Sequence, residues 1–318
     1  MDQSKLSTRD IIGMYYMLLE SNRELAWVNA ISNMFSSDQA SETYPFLGQA
    51  PVLREWVGSR QAKGLRQNDF TIRNKHYEST LEFRIADLRR DKTNQIEARI
   101  NEWVDQDMRH WATLLSALIV GGASTVCYDG EYFFDTDHAE GDSGQQANAI
   151  TVDISAMPAQ THGVVTAPSV EEMQHAILKG IAQIMSLKDD RGQPMNQGAT
   201  SFMILTPTSL WLTAAQAVAP ITTVNSAVAN LNANILERLT VEVVLNSELD
   251  SWTDKFALFR TDSGIKPLIR QNETSPQLKA KDEQSEYAFD NDAIQLGIDT
   301  WRAADYGFYQ RACQVTLG

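Results

Sequence analysis

The sequence predicts an α+β fold in which helices and strands are interleaved without a regular βαβ repeat. Three observations carry this. Residues 91–122 hold apolar side chains at helical spacing over an unusual length. The stretch just before it, 68–88, alternates like a strand. From 169 onward, helix and buried-strand patterns succeed one another irregularly.

In chain order, residues 8–35 read as helical. Ile11, Ile12, Tyr15, Leu18 and Leu19 form one stripe, and Leu25, Val28, Ile31, Met34 and Phe35 continue it after a break at Ser21-Asn22. Residues 36–51 are polar and punctuated by Pro45, Gly48 and Pro51, which predicts a loop. In 77–85, Tyr77, Ser79, Leu81, Phe83 and Ile85 share one face. Phe70 and Ile72 start the same period before the polar run 73–76, so a hairpin with a long returning strand is expected. Such a hairpin is marginal alone in water, so its apolar face must lie on something.

The long helix comes next. Ile96, Ile100, Trp103, Val104, Met108, Trp111, Leu115 and Leu118 keep 3-4 spacing, and the Gly121-Gly122 pair closes the segment. Residues 93–120 would make a rod of about 42 Å. Short strands around an Asp129-Gly130 turn are expected over 124–134, and a loop over 141–168. Ser169 and Glu172 form a capping box at the head of an amphipathic helix over 169–190. Beyond it lie a buried strand at 201–207, a helix at 208–219, a small-residue loop at 221–235 and strands at 239–246 and 255–260. The C-terminal stretch reads as strands around a glycine-containing turn.

The chain has 318 residues, 43% of them hydrophobic and 21% charged, which is the composition of a globular protein with ample material for a core. Its 27 basic and 41 acidic residues leave a net charge of −14. A surface that acidic repels nucleic acid and anionic membranes. Two cysteines make no disulfide framework, which points to a reducing compartment. The first residues lack the pattern of a signal peptide and the longest apolar run, 114–123, is too short to span a bilayer. A soluble protein of the cytoplasm is expected.

One segment invites a catalytic reading: "YDGEYFFDTDHAE", residues 128–140, with Asp135, Asp137 and His138. A magnesium-dependent phosphohydrolase would need that Asp-x-Asp at the end of a buried strand, plus a lysine and further acids from other strand ends. The run 132–134 is short, and Lys188, Asp189 and Asp190 sit together at a helix end, where a solvated C-terminal turn is the simpler reading. For Asp135–His138 the simpler reading is a turn capped by its own side chains. The five histidines include no i, i+4 pair, and a zinc site joining His138 to Cys127 has no second cysteine nearby to support it. No phosphate-binding glycine loop or nucleophile elbow is present. Trp103 and Trp111 fall on the long helix's apolar stripe, so they read as core rather than as a base-stacking platform. The residues point to no catalytic, cofactor or metal site. A phosphohydrolase using Asp135 and Asp137 stays as the alternative from a different class.

Four segments, "YPFLGQAPVLREWVG" (44–58), "FTIRNKHYESTLEF" (70–83), "CYDGEYFFDTDH" (127–138) and "WRAADYGFYQ" (301–310), resemble the major head subunit of Mu-like phages, the gpT family, in order from about residue 40 onward. The resemblance implies a Hong Kong 97-type capsid fold: N-terminal arm 1–45, E-loop region 46–90, P-domain with a spine helix 91–165, A-domain 166–262 and a P-domain return 263–318. It implies hexamers and pentamers that tile an icosahedral shell around phage double-stranded DNA, assembled in the host cytoplasm and carried in the virion. Portal and scaffold or decoration proteins would be its partners, with no membrane, no cofactor and no sequence-specific DNA contact. The E-loop side chains Phe70, Ile72, Tyr77, Leu81, Phe83 and Ile85 would then lie across an adjacent subunit. Lysine–asparagine cross-links of the kind some relatives make are not expected, Lys75 at the hairpin tip being a poor candidate. An encapsulin-like compartment is the alternative with the same architecture.

Overall fold

The computed structural model describes residues 8–21, 25–47, 67–90, 95–155, 163–218 and 239–318. The spine is α4 (Gln95–Gly121), a single helix of 27 residues. It starts and stops within two residues of the expected rod. Its stripe is buried along its whole length, from Ile96, Ile100, Trp103 and Val104 to Trp111, Leu115 and Ile119. Glycine is needed where the helix ends: a Cβ on Gly122 would come within 2.5 Å of the Phe134 ring.

The N-terminal stripe divides differently from the expectation. α1 (Thr8–Ser21) and α2 (Ala26–Ile31) are helices, but Ser32–Ser36 is a strand, β1. It pairs in parallel with β9 (Leu268–Lys281), which leaves Met34 and Phe35 exposed. Apolar residues three apart are compatible with either element, and the β9 edge decides for strand. The polar stretch expected to be a loop contains β2 (Ser41–Leu47), paired antiparallel with β3 (Gln67–Arg73).

The expected hairpin is not formed between its two halves. β3 pairs with β2, while β4 (Lys75–Arg84) pairs antiparallel with β10 (Ala293–Tyr306) over its full length. Asn74 is the pivot. Its side-chain amide donates to Ser37 Oγ at 3.1 Å and to the Gln39 carbonyl at 2.8 Å, and its oxygen accepts from Gln271 Nε2 at 2.8 Å. Fully bonded inside the protein, it fixes the bend that sends β3 and β4 to separate partners. Lys75 therefore begins a strand and is not a hairpin tip. Ile85 leaves the strand and opens the short helix α3 (Ile85–Arg90).

Two larger sheets organise the rest. One has the order β1-β9-β10-β4, with α4 lying on it. The other has the order β5-β11-β8-β6-β7, built from β5 (Ala149–Val152), β6 (Ser201–Thr206), β7 (Thr240–Leu245), β8 (Lys255–Arg260) and β11 (Ala312–Leu317). β5 corrects the loop expected over 141–168. The second sheet takes β5 and β11 from outside 166–262, so the expected domain limits do not coincide with its edges. Helices α5 (Val170–Ser186) and α6 (Thr208–Val218) pack on it, and the capping box at Ser169 and Glu172 forms as expected. Helix α5 stops at Ser186, so Asp189 and Asp190 lie beyond it. Both are buried rather than solvated, and Asp189 accepts the Arg191 and Gln193 N–H groups in a tight turn. A short helix, α7 (Glu286–Asn291), joins β9 to β10. The loop expected over 221–235 lies outside the described residues.

The spine joins two of the three cores. Its N-terminal half packs with Ile11 and Tyr15 of α1 and with Ile294, Leu296 and Ile298 of β10. Its C-terminal half packs with Trp27, Ile31, Leu268 and Tyr306. Between them a polar group is buried. Arg302 is 2% exposed, donates to Asp107 Oδ1 at 3.2 Å and lies 5.0 Å from the Trp111 ring centre. Arg270, also 2% exposed, lies 5.5 Å from that ring. Tyr15 OH donates to the other Asp107 oxygen at 3.3 Å. Burial pushes the Asp107 carboxyl up despite Arg302.

Two consequences can be measured on the isolated chain. Asp107→Ala removes the carboxylate that Arg302 and Tyr15 share and is expected to cost about 3–5 kcal/mol by urea denaturation; a loss under about 1 kcal/mol counts against this assignment. Asp305 is pushed up to about 6 by burial, which outweighs the Tyr306 N–H it accepts and the charge of Lys75. The native state therefore holds the Asp305 proton more tightly than the unfolded chain does. Stability falls as pH rises from the ordinary carboxylate range to about 6. Asp305→Asn should match wild type at the acid end and be more stable above that window; equal urea midpoints on both sides of it would refute this.

Candidate functional site

The Asp-Thr-Asp-His segment lies in a loop that leaves the spine, turns at Asp129-Gly130 and runs to β5. Gly130 has φ +95°, a conformation that the tight turn requires and that glycine adopts without strain. The Val126–Tyr132 and His138–Gln146 bridges are isolated pairs, so no extended strand forms where short strands were expected.

Asp135 caps the loop as the simpler reading anticipates. Its carboxylate accepts the Thr136 N–H at 2.7 Å and the Tyr132 N–H at 3.2 Å, and its carbonyl accepts the Asn148 and Ala149 N–H groups. Asp135 and Asp137 hydrogen-bond each other. Burial tends to raise Asp135, but the donated Thr136 N–H and the bond to Asp137 leave it below the usual range. The same bond and the charge of Asp135 raise Asp137. Neither stands at the end of a buried strand, the placement that phosphoryl transfer requires. Glu131, Asp135 and Asp137 offer ligand atoms within 4.8 Å of one another, all on partly or fully exposed side chains.

His138 faces inward and is fully buried. Its Nδ1 lies 2.7 Å from Asp129 Oδ2, its Nε2 lies 3.2 Å from Asn148 Oδ1, and its ring stacks on Tyr309 at 3.7 Å and 3°. The Cys127 thiol donates to Asp129 Oδ1 at 3.0 Å. Burial raises Asp129, yet hydrogen bonds from His138 and Cys127 hold it below the usual range. Burial, with Asp129 beside it, pushes the Cys127 thiol well up. A second polar knot adjoins the first. Tyr128 OH donates to Glu140 Oε2 at 2.9 Å, and Gln310 Nε2 donates to the same carboxylate at 3.1 Å. The loop is thereby tied to residues 309–310, just before β11. Asn148, Tyr309 and Gln310 escape a reading of the sequence, since they come from strand ends far apart in the chain; the stacked histidine is the only one with a local signal.

The residues expected in the E-loop lie elsewhere. Ile72 is 1% exposed and packs with Trp27, Ile31 and Leu268. Phe70 is half-buried against the same core. Leu81 and Phe83 are half-buried and Ile85 is buried, all in the core under the N-terminal half of α4. Tyr77 meets the His110 ring edge-on at 4.4 Å. On this chain α4 covers that face. A cleft of about 220 Å³ between β4, β10 and α4, lined by Tyr77, Trp103, Asp107, His110 and Thr300 among others, falls below the usual size of ligand pockets. No helix among the described residues is long and apolar enough to cross a membrane.

Comparison with known proteins agrees with this architecture. Residues 19–160 and 237–316, more than half of the chain, match the family model described as Mu-like prophage major head subunit gpT. The chain is 34% identical over 111 residues to the Mu-like prophage FluMu major head subunit of Haemophilus influenzae, which covers 35% of this chain and 36% of that protein. It is 32% identical over 115 residues to the major capsid protein of Escherichia phage Mu, with the same coverage of 35% and 36%. These alignments thus span little more than a third of the curated relatives' length. Among solved structures, it superposes on a chain of the procapsid of bacteriophage JBD30 with a TM-score of 0.54 at 21% identity, over 96% of this chain and 72% of that one. The helix–sheet arrangement built around one long spine is that of the Hong Kong 97-type capsid fold, and the chain belongs to the Mu-like prophage major head subunit gpT family.

Proposed function

We propose that the chain is the major shell subunit of a phage head, assembling as hexamers and pentamers into a closed icosahedral container for double-stranded DNA. The family match over both halves of the chain carries this reading. The fold supports it. β2 and β3 form a two-stranded ribbon that gains no third strand among the described residues. A lone ribbon of this kind is marginal in water. Its base is held by Ile72 in the core and by Tyr44 OH donating to Gln271 at 2.7 Å, and a neighbouring subunit would support the remainder. The E-loop contact is accordingly assigned to this ribbon. Of the six residues expected to make it, only Phe70 and Ile72 lie there, Phe70 half-buried and Ile72 buried.

The division into arm, E-loop, P-domain and A-domain goes with this reading, with β5 and β11 reassigned to the A-domain sheet. Each intersubunit contact can be weak, because closure of the shell multiplies them. The charge of −14 keeps the container from trapping its DNA through phosphate contacts. Assembly in the host cytoplasm, a portal at one vertex and a scaffold or decoration protein complete the proposal. A match to head subunits favours this over an encapsulin-like compartment.

Negative-stain electron microscopy beside light scattering tests it: closed shells, or rings of five and six, are expected from the purified chain or from co-expression with its scaffold. A uniform monomer under both conditions would overturn the reading. Asp135→Asn combined with Asp137→Asn should still allow assembly, since asparagine retains one of the two acceptors of the capped turn. Magnesium-dependent phosphatase turnover in the wild type that this variant loses would favour the phosphohydrolase instead.

A further inference from the structure

We infer that Cys127, Asp129 and His138 form a buried site for one divalent transition-metal ion of the zinc type. Asn148 sets the state of the histidine. Its Nδ2 donates to the Phe133 carbonyl at 2.7 Å and to the Tyr309 carbonyl at 3.4 Å, and its Oδ1 accepts the Asp135 N–H at 2.9 Å. These three bonds set the amide's orientation, so an acceptor faces His138 Nε2 at 3.2 Å. Nε2 therefore carries a proton, and Nδ1 is the ring nitrogen left for other work.

Nδ1 lies 2.7 Å from Asp129 Oδ2. Two lone pairs do not sit that close without a positive centre between them. At 2.7 Å that centre is a proton in this structure, since two ligands of one zinc ion stand about 3.3 Å apart, and a metal ion would take its place. Three features suit the site to a metal. The donors are an imidazole, a carboxylate and a thiol, a mixture suited to zinc, and their ligand atoms all lie within 4.8 Å of one another. Each Asp129 oxygen faces one of the other two donors, so the carboxylate lies between them. Asn148 and the Tyr309 stack hold the histidine as outer partners hold metal-bound imidazoles.

A dication entering the site displaces protons from the donors it binds, which limits the charge left to desolvate. The donors would part by about half an ångström or slightly more to accept bonds of about 2.0–2.3 Å. The ion would fasten the loop to the Tyr309 segment that leads into β11.

Cobalt titration of the reduced, chelator-free full chain tests this independently of assembly. One equivalent should produce a thiolate-to-cobalt charge-transfer band that zinc abolishes. Affinity should fall as pH drops, because protons compete with the ion for its ligands. Cys313→Ser, which alters a buried thiol elsewhere, should keep the band, and Cys127→Ser should lose it. Wild-type protein that shows no band, with both thiols confirmed reduced, would mean that only a proton occupies the site. A band that survives Cys127→Ser would equally overturn the assignment.

Discussion

The docking of α4 on the β9–β10–β4 sheet is the contact on which the rest of the structure depends. Two cores that would otherwise be separate share this one helix, its N-terminal half closing one and its C-terminal half the other. Between them Trp111 sits against two buried guanidiniums, from β9 and β10, while Asp107 gathers Arg302 and Tyr15 from opposite sides. Apolar burial supplies the driving force, but it is indifferent to register. The Asp107–Arg302 pair is not: sliding the helix by one turn would strand a charge in the interior.

The spine also fixes the loop at its C-terminal end. The Gly121-Gly122 stop lets Phe134 approach the backbone, and the loop beyond closes through His138, Asn148 and Tyr309. The two sheets are joined at the same place, because the chain passes from β10 through Tyr309 and Gln310 directly into β11. A buried polar cluster at this junction has directional bonds, so it holds the sheets in one arrangement where apolar packing alone would allow several. In the proposed shell that precision would have a purpose: small angular errors within a subunit accumulate around a closed surface.

Much was legible from local pattern. The spine's limits, its buried stripe, the core placement of Trp103 and Trp111, the Ser169 capping box and the strands β6, β7 and β8 all come from periodicity and end signals within one segment. The reading of Asp135 as a turn cap was equally accessible, because short polar side chains bond nearby backbone. Where two elements compete for the same residues, local pattern misleads. Met34 and Phe35 continue a helical stripe in sequence but form strand on the edge of β9.

By itself the sequence determined which residues form the spine helix and most of the strands, the acidic surface and the head-subunit family. These depend on side-chain spacing, composition and linear motifs, all of which are properties of one stretch of chain. Only the tertiary structure decided which strands pair. β3 turns to β2 and β4 to β10 because Asn74 finds its hydrogen bonds on Ser37, Gln39 and Gln271, residues far off in the chain. It also decided that the face of Leu81 and Phe83 belongs to its own spine, and that Cys127, Asp129, His138 and Asn148 meet in one buried cluster. Alternation states that a face must be covered; the covering element is settled by contacts between distant segments.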